Sequence, residues 1–461
     1  MGDIVNINGM FERELCTQCG TCYSLCPKGN IDVKRSSIGS FVFHVKDEAR
    51  CVGCGICYEV CPGHEVDFDE LNSHLFPEAP ADPFMGSYKS TFLAQSTDEG
   101  IRNSCASGGV ISSLLMFALD RGLISGAVVV RMSERNPLEP EVFVAKGAEE
   151  VLSASQSKYL PVPMNIGLRE VMEADEGRFA LVGLPCHIHG LRKAELLFPK
   201  LRERIVLCLG LLCGPGPSLL MTEYLIRRAG LRVEEVAKVK YREKPHNRWP
   251  GGMLITAKTG EKRYIPLENY LYAQTLFTLP RCGMCPDFSN ELADLSFGDA
   301  HLPEFRRNMD MTGPEGEILR GRDGWNIVIS RTERGEKLLR EAAGSGAVRL
   351  VEIDPRLVVR SQKWGFYYKK RAVFARMNIR KALRQPVPRF KGLKPPEGGL
   401  RVTDYIKPIL FLLIQRISIT RLGSLLLGLI PERILMRKFR FKQRLMDRAC
   451  RGYLLRRKRS G

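Results

Sequence analysis

Two runs of cysteine carry the most legible chemistry in this chain. Cys16, Cys19, Cys22 and Cys26, closed by Pro27, are spaced C-x-x-C-x-x-C-x-x-x-C-P, and Cys51, Cys54, Cys57 and Cys61, closed by Pro62, repeat the pattern. Three thiolates at this spacing reach three corners of a 4Fe–4S cube, and the fourth of each run crosses to the other cube. Crossing assigns Cys16, Cys19, Cys22 and Cys61 to one cluster, and Cys51, Cys54, Cys57 and Cys26 to its partner. Zinc is the competing reading, because paired C-x-x-C units also make tetrahedral thiolate sites. It needs neither a third Cys at this spacing nor a Pro after the fourth. Gly20, Gly53 and Gly55 let backbone N–H groups approach inorganic sulfide, which raises a reduction potential.

A third C-x-x-C, Cys282 and Cys285, lacks the Cys-Pro ending. Cys186 and Cys213 stand just past two apolar runs, 179–184 and 204–212, that read as strands. Ligands gather at the carboxyl ends of strands in open α/β sheets. Convergence of these four would make a third four-thiolate site; ordinary buried packing is the plainer fate of a free Cys. Cys208, inside its strand, reads as packing, and Cys105 carries either reading. No G-x-G-x-x-G and no G-x-x-x-x-G-K-[ST] is present, so the familiar nucleotide motifs have no support. Ser107, Gly108 and Gly109 at a helix start could hold a phosphate by their N–H groups, or simply cap the helix. His187 and His189 could move a proton or bond a cofactor, though a structural role is the ordinary one. Asp294 and Asp299 read as caps or turns, or as a partner for a ribose. No acid–base triad is visible, and no catalytic side chain is assigned.

The elements that must position these residues read as a mixed α/β chain. Residues 1–70 form a two-cluster unit of the bacterial ferredoxin type, with a short strand at 40–45 between the Cys runs. Residues 71–87 carry three Pro and read as a linker. Residues 88–390 form an α/β body in which strands (127–131, 143–146, 179–184, 204–212) alternate with helices (110–119, from 149, after 185, from 217). An antiparallel insertion is expected at 236–241, 253–258 and 263–266, and a strand at 325–330 with a helix at 333–342 closes the body. The chain has 461 residues and fifteen Cys, and residues 1–14 hold four charges and no apolar run. A reducing, cytoplasmic setting is therefore expected rather than a disulfide framework.

Several stretches together resemble one family: Ser107 to Gly109, Ser157-Lys158-Tyr159, the run 183–192 (GLPCHIHGLR), Cys213-Gly214-Pro215, and 282–289 (CGMCPDFS) continuing to Gly298 and Asp299. They resemble the beta subunit of coenzyme F420-reducing hydrogenase and its relatives over about residues 88 to 350. Those relatives include F420H2 dehydrogenase input subunits, formate dehydrogenase beta subunits and flavoproteins that reduce hydroxymethyl chlorophyll. The resemblance implies an FAD-containing α/β body with its own 4Fe–4S cluster, exchanging hydride with coenzyme F420 or another organic carrier. By the same resemblance Cys186, Cys213, Cys282 and Cys285 hold that cluster, while Ser107, Gly108, Gly109, Ser157, Lys158 and Tyr159 approach the flavin. A redox partner protein or complex follows. The alternatives are an electron-transfer adaptor without its own substrate, and a reductase of a non-deazaflavin substrate.

The net charge of +19 is uneven: residues 401–461 hold 16 Lys and Arg against 3 Asp and Glu. Basic surface of this kind suits nucleic acid, anionic lipid or an acidic protein. The lack of interleaved aromatic platforms weakens nucleic acid. The tail, 391–461, is expected to be helical. Its apolar runs 408–414 and 422–430 are too short to span a bilayer. Leu435, Phe439, Met446, Cys450 and Tyr453 fall on one helical side, which suits peripheral contact with a membrane or a helical contact with protein.

Overall fold

The computed structural model describes residues 6–80, 82–307, 309–313, 315–395, 399–400 and 402–437. Its centre is an eight-stranded sheet. In chain order the strands are β1 (Ser90–Ser96), β2 (Gly126–Met132), β3 (Pro140–Ala145), β4 (Phe179–Gly183), β5 (Ile205–Leu211), β6 (Leu295–Asp299), β7 (Asn326–Ser330) and β8 (Val348–Glu352). They lie side by side as β8-β1-β7-β6-β5-β4-β2-β3. The inner four, β2, β4, β5 and β6, run parallel, while the flanking pairs are antiparallel. The inner strands GAVVV, FALVG and IVLCLGL are near-continuous apolar runs, as strands covered on both faces must be. The expected mixed α/β fold is therefore the observed one.

Helices Val110–Asp120 and Glu333–Gly344 cover one face through Leu114, Leu115, Ala118, Leu338 and Leu339. Helix Pro185–Leu197 covers the other through Ile188, Leu191 and Ala194. The insertion is a three-stranded antiparallel sheet, Val236–Glu243, Gly252–Ala257 and Lys262–Pro266, closed by its own core. Three strands of the central sheet, β1, β6 and β8, were not expected. β6 reads LSFGD, short and ending in turn-forming residues, and only its pairing with β5 and β7 makes it a strand.

The ferredoxin-type unit shares a core with the body. Leu25, Val60, Val66, Phe68 and Leu71 pack in the same apolar cluster as Ile188, Leu191 and Leu292. The expected linker differs accordingly: helix Phe68–Leu75 runs into it, and Phe84 and Met85 are buried against the body. After helices Pro355–Lys370 and Ala372–Ala382, strand Arg389–Lys391 returns to pair in parallel with Glu65–Asp67. Beyond it, helices Thr403–Ser418 and Arg421–Leu429 lie on the body. Of the expected tail stripe, Leu435 packs on the insertion core, and Phe439, Met446, Cys450 and Tyr453 fall outside the described residues.

One contact fixes where the ferredoxin-type unit sits. A Cβ at Gly190, in the helix that starts beside Cys186, would fall 2.3 Å from Thr21 Oγ1. Asn165 Nδ2 donates to that same hydroxyl and to the His187 carbonyl, both at 2.8 Å. Asn165 N donates to the Cys19 carbonyl at 2.8 Å. Helix Pro185–Leu197 and the first cysteine run are therefore in direct contact. Alanine at 190 adds about 1 kcal/mol of helix propensity over glycine, but overpacking a tight contact costs about 1–3 kcal/mol. Gly190→Ala is therefore expected to lower the thermal midpoint and to speed amide exchange at residues 16–25; unchanged exchange there would show that the contact yields freely.

Candidate functional site

The cysteine loops are built so that their amides face sulfur. Gly20 (φ 87°) and Gly55 (φ 72°) take the left-handed conformation immediately before the short helices Thr21–Leu25 and Ile56–Glu59. Glycine adopts that conformation without steric cost. Backbone N–H groups of Gln18, Asn30 and Gly63 donate to the sulfurs of Cys16, Cys26 and Cys61 at 3.4, 3.3 and 3.3 Å.

The thiols separate into two groups. Burial raises the Cys16 pKa, and the adjacent Cys61 and Cys19 raise it further. Burial pushes Cys61 up to about 11, with Cys19 adding to it. Cys57 is pushed up to about 11 by burial and by Cys54, Cys26 and Cys51. Cys61 thus lies with the first run and Cys26 with the second, so the fourth thiol of each run stands in the other group. Buried thiols of this kind ionise only beside compensating positive charge, which iron supplies, so the donor set fits two iron–sulfur cubes. Among the described residues, no three His, Cys, Asp or Glu side chains gather around a single-ion position. Cys26, Cys51, Cys54 and Cys57 line an open cleft, and Cys54 is exposed. The second group therefore faces solvent and the first faces the body.

In the body, Cys186 opens helix Pro185–Leu197, Cys213 follows β5, and Cys282 and Cys285 flank the end of helix Pro280–Gly283. They converge: the Cys186 pKa is raised by burial and then by Cys282, Cys213, Cys19 and Cys285. Cys19 belongs to the first ferredoxin-type group, so that group and the body thiols are neighbours. Arg281 bridges them, its Nε and Nη2 donating to the Gly63 and Pro62 carbonyls at 3.0 and 2.8 Å. Gly216 is needed where a Cβ would fall 2.7 Å from Cys282 Sγ.

Sequence reasoning missed Lys369. It is buried and donates to the Cys282 carbonyl at 3.2 Å. Burial works against its charge, but Cys285, Cys213 and Cys282 outweigh burial and raise its pKa. Nothing local marks it, because helix Pro355–Lys370 delivers it from outside the cysteine motifs.

The remaining candidates take structural places. Cys208 is packed inside β5, its thiol pushed up to about 12 by burial. His187 Nδ1 accepts from Leu184 N at 3.0 Å, so Nε2 carries the proton and donates to the Val162 carbonyl at 3.0 Å. Burial lowers its pKa to about 4. His189 Nε2 pairs with Asp287 Oδ2 at 2.8 Å. Asp294 receives Arg192, Arg334, Thr332 and the Cys208 amide, locking strands to helices.

The two stretches expected near a flavin meet around a residue the sequence did not single out. Arg242, at the end of strand Val236–Glu243, donates to the Ala106 carbonyl (3.0 Å), Asp299 Oδ2 (2.6 Å), the Pro250 carbonyl (3.0 Å) and Tyr159 OH (3.2 Å). Ser107 is buried, its hydroxyl donating to the Trp325 carbonyl at 2.9 Å. A Cβ at Gly108 would fall 2.9 Å from the Ala94 carbonyl, and Gly109 has φ +77°. Lys158 Nζ is held by the Ala154, Ser155 and Gln156 carbonyls, and Lys244 Nζ by those of Arg102 and Ser107. Burial lowers Lys158 to about 7 and Lys244 to about 8, with Cys105 opposing the shift in both. Arg242, Lys158 and Lys244 stand against Asp299, with Glu243 taken up by Lys240 and Gln156, and leave the place electropositive, which suits a dinucleotide pyrophosphate. The residues present fit FAD on that ground.

Residues 91–169 and 176–356 match the families described as coenzyme F420 hydrogenase/dehydrogenase, beta subunit, N-terminal part and C terminus. Residues 15–66 match a 4Fe-4S dicluster domain. The beta subunit of the coenzyme F420 hydrogenase of Methanothermobacter thermautotrophicus is 28% identical over 59% of this chain and 86% of its own length. A component of the F(420)H(2) dehydrogenase of Methanosarcina mazei is 27% identical over 71% of this chain and 82% of its own. A coenzyme F420-dependent sulfite reductase of Methanocaldococcus jannaschii is 27% identical over 76% of this chain but only 49% of its own length. Among solved structures, a chain of the F420-reducing NiFe hydrogenase complex of Methanosarcina barkeri superposes with TM-score 0.50 and 23% identity, over 66% of this chain and 97% of that one. That likeness speaks for the fold.

The electropositive place has a pH signature. Lys158 and Lys244 lose their protons as pH rises through about 7 and about 8. ADP-ribose, whose bridging pyrophosphate keeps its charge over this range, titrated calorimetrically into flavin-depleted protein, is expected to bind several-fold more weakly at about pH 9 than at about pH 6. Arg242→Met should weaken binding at both pH values; affinity that rises with pH would refute the assignment.

Proposed function

The chain belongs to the family of coenzyme F420 hydrogenase/dehydrogenase beta subunits and carries a 4Fe–4S dicluster domain, and on that premise we propose that it is an F420-linked oxidoreductase subunit. In this reading it exchanges hydride with coenzyme F420 and passes electrons to or from a partner complex. The observation that carries the reading is the contiguity of the thiol groups: Cys19 neighbours both the first ferredoxin-type group and the body set around Cys186. The second group opens to solvent at Cys54.

The chemistry supplied by bound FAD is conversion between a two-electron hydride and single electrons, and that of the clusters is single-electron transfer. The chain's own residues do the rest. Ser107, Gly108 and Gly109, with Ser157, Lys158 and Tyr159, would hold the flavin. Arg242 holds Tyr159, Asp299 and the Ala106 carbonyl in one arrangement. Lys158 and Lys244 neutralise phosphate charge, and Cys186, Cys213, Cys282 and Cys285 hold a third cluster. Lys369 offsets the negative charge of those thiolates and so favours the reduced state. The exposed edge around Cys54 and Val52 receives the partner.

Anaerobic addition of reduced coenzyme F420 should bleach flavin and cluster absorbance together. Reduction by NADH and not by reduced coenzyme F420 would overturn the deazaflavin assignment, and flavin-free protein would leave an electron-transfer adaptor.

Iron content tests the third cluster separately. Three cubes require about twelve irons per chain and two require about eight. Cys285→Ser is expected to lower iron by about four, one cube's worth, while leaving the ferredoxin-type signal in place. Iron near the two-cube value in the unaltered chain, unchanged by the substitution, would return Cys186 and Cys213 to packing.

A further inference from the structure

Helices Thr403–Ser418 and Arg421–Leu429 are amphipathic in the inverse sense for a protein surface. The first turns its polar side inward. Gln415 Nε2 donates to the Thr278 carbonyl at 2.7 Å, Ser418 bonds the Leu276 carbonyl, and Asp404 pairs with Arg371 at 2.7 Å. Phe411 is its buried apolar contact, edge-on to Tyr368 at 6.0 Å. Its outward side is Ile406, Ile409, Leu410, Leu413, Ile414 and Ile417, between 36% and 63% exposed. Those positions follow the i, i+3, i+4, i+7, i+8, i+11 spacing of one helical face.

The second helix repeats the inversion. Ser424 is buried and accepts from Arg227 at 2.9 Å, and Arg228 bonds the Leu427 and Ile430 carbonyls. Leu422, Leu425, Leu426 and Leu429 point outward, 52% to 79% exposed. No single helix among the described residues is long and apolar enough to cross a membrane; these two pass that test only together, bent by 103°. A pair so bent, with its polar side bonded to the body, has only its outer face free to enter an apolar medium.

The geometry points to one occupant: this face seats the protein on the surface of an anionic membrane, the leucines and isoleucines entering the acyl boundary of one leaflet. Three observations favour lipid over protein. The outward face is wholly aliphatic, whereas protein interfaces draw on Tyr, Trp, Met and Arg anchors. Its exposed charged neighbours are Arg416, Arg421, Arg433 and Arg437 against the single acid Glu432. The remaining residues, 438–461, add ten Lys and Arg against one Asp in the sequence. Aliphatic surface rimmed by cations matches acyl chains beneath anionic phosphates. The inference is independent of the hydride carrier. It places contact on 406–429; Phe439, Met446, Cys450 and Tyr453 of the expected stripe lie outside the described residues.

The test is flotation of the full-length, anaerobically purified protein with vesicles of phosphatidylcholine alone or mixed with phosphatidylglycerol. The unaltered chain should float with the mixed vesicles, and high salt should reduce the bound fraction without abolishing it. Leu410→Asp with Leu425→Asp, both exposed, should lose most flotation while iron content and far-ultraviolet dichroism stay unchanged. A second variant, Leu425→Trp, should gain indole fluorescence that brominated acyl chains quench. Flotation equal to the unaltered chain in the double variant would mean that tail cations alone hold lipid, and would overturn the proposal. So would indole fluorescence that brominated chains leave unquenched in the second variant. A failure to float, accompanied by a dimer that the aspartates dissolve, would also overturn it and assign the face to a second copy.

Discussion

The close approach of helix Pro185–Leu197 to the first cysteine run is the constraint on which the rest of the molecule turns. Electron transfer between centres falls steeply with distance, so a ferredoxin-type unit on a free linker would be poorly coupled to the body. Here Gly190 leaves room for Thr21, Asn165 ties both sides through its amide and side chain, and Arg281 reaches across to Pro62 and Gly63. A common apolar core holds the same arrangement from beneath. The strand Arg389–Lys391, pairing with Glu65–Asp67, closes it from the other end of the chain.

Around that junction the protein buries charge, and these buried groups have counterparts. Lys369 stands among the body thiols, Asp294 between Arg192 and Arg334, and Lys370 against Glu291. An unpaired charge in such a place costs on the order of several kcal/mol, so these pairings specify how the last helices dock. The site around Arg242 departs from the pattern. Its excess of cations is the kind of imbalance that a bound anion corrects.

The C-terminal helices obey a different rule. Their hydrogen-bonding side chains face the body and their aliphatic side chains face out, against the usual economy of a water-exposed surface. Arg421 donates to the Ser37 carbonyl at 2.6 Å, in the turn between the two strands of the ferredoxin-type unit, so the second helix touches that unit as well as the body.

Several features were determined by the sequence alone. Cysteine spacing encodes cluster chemistry because neighbouring ligands are fixed by the covalent chain, and the runs GAVVV, FALVG and IVLCLGL declare buried parallel strands by composition. Proximity between distant residues is another matter. That Cys19 neighbours Cys186, that Lys369 joins the body thiols, and that Arg242 gathers Ala106, Tyr159 and Asp299 all depend on contacts between residues far apart in the chain. LSFGD became strand β6 only through its neighbours, since short segments with Gly and Asp have little strand preference of their own. The sequence marked 408–414 and 422–430 only as apolar runs, and the helix Thr403–Ser418 gathers Ile406, Ile409, Leu410 and Leu413 on one face. Which way that face points was settled by tertiary structure, because the hydrogen bonds of Gln415 and Ser418 to the body turn the other side inward.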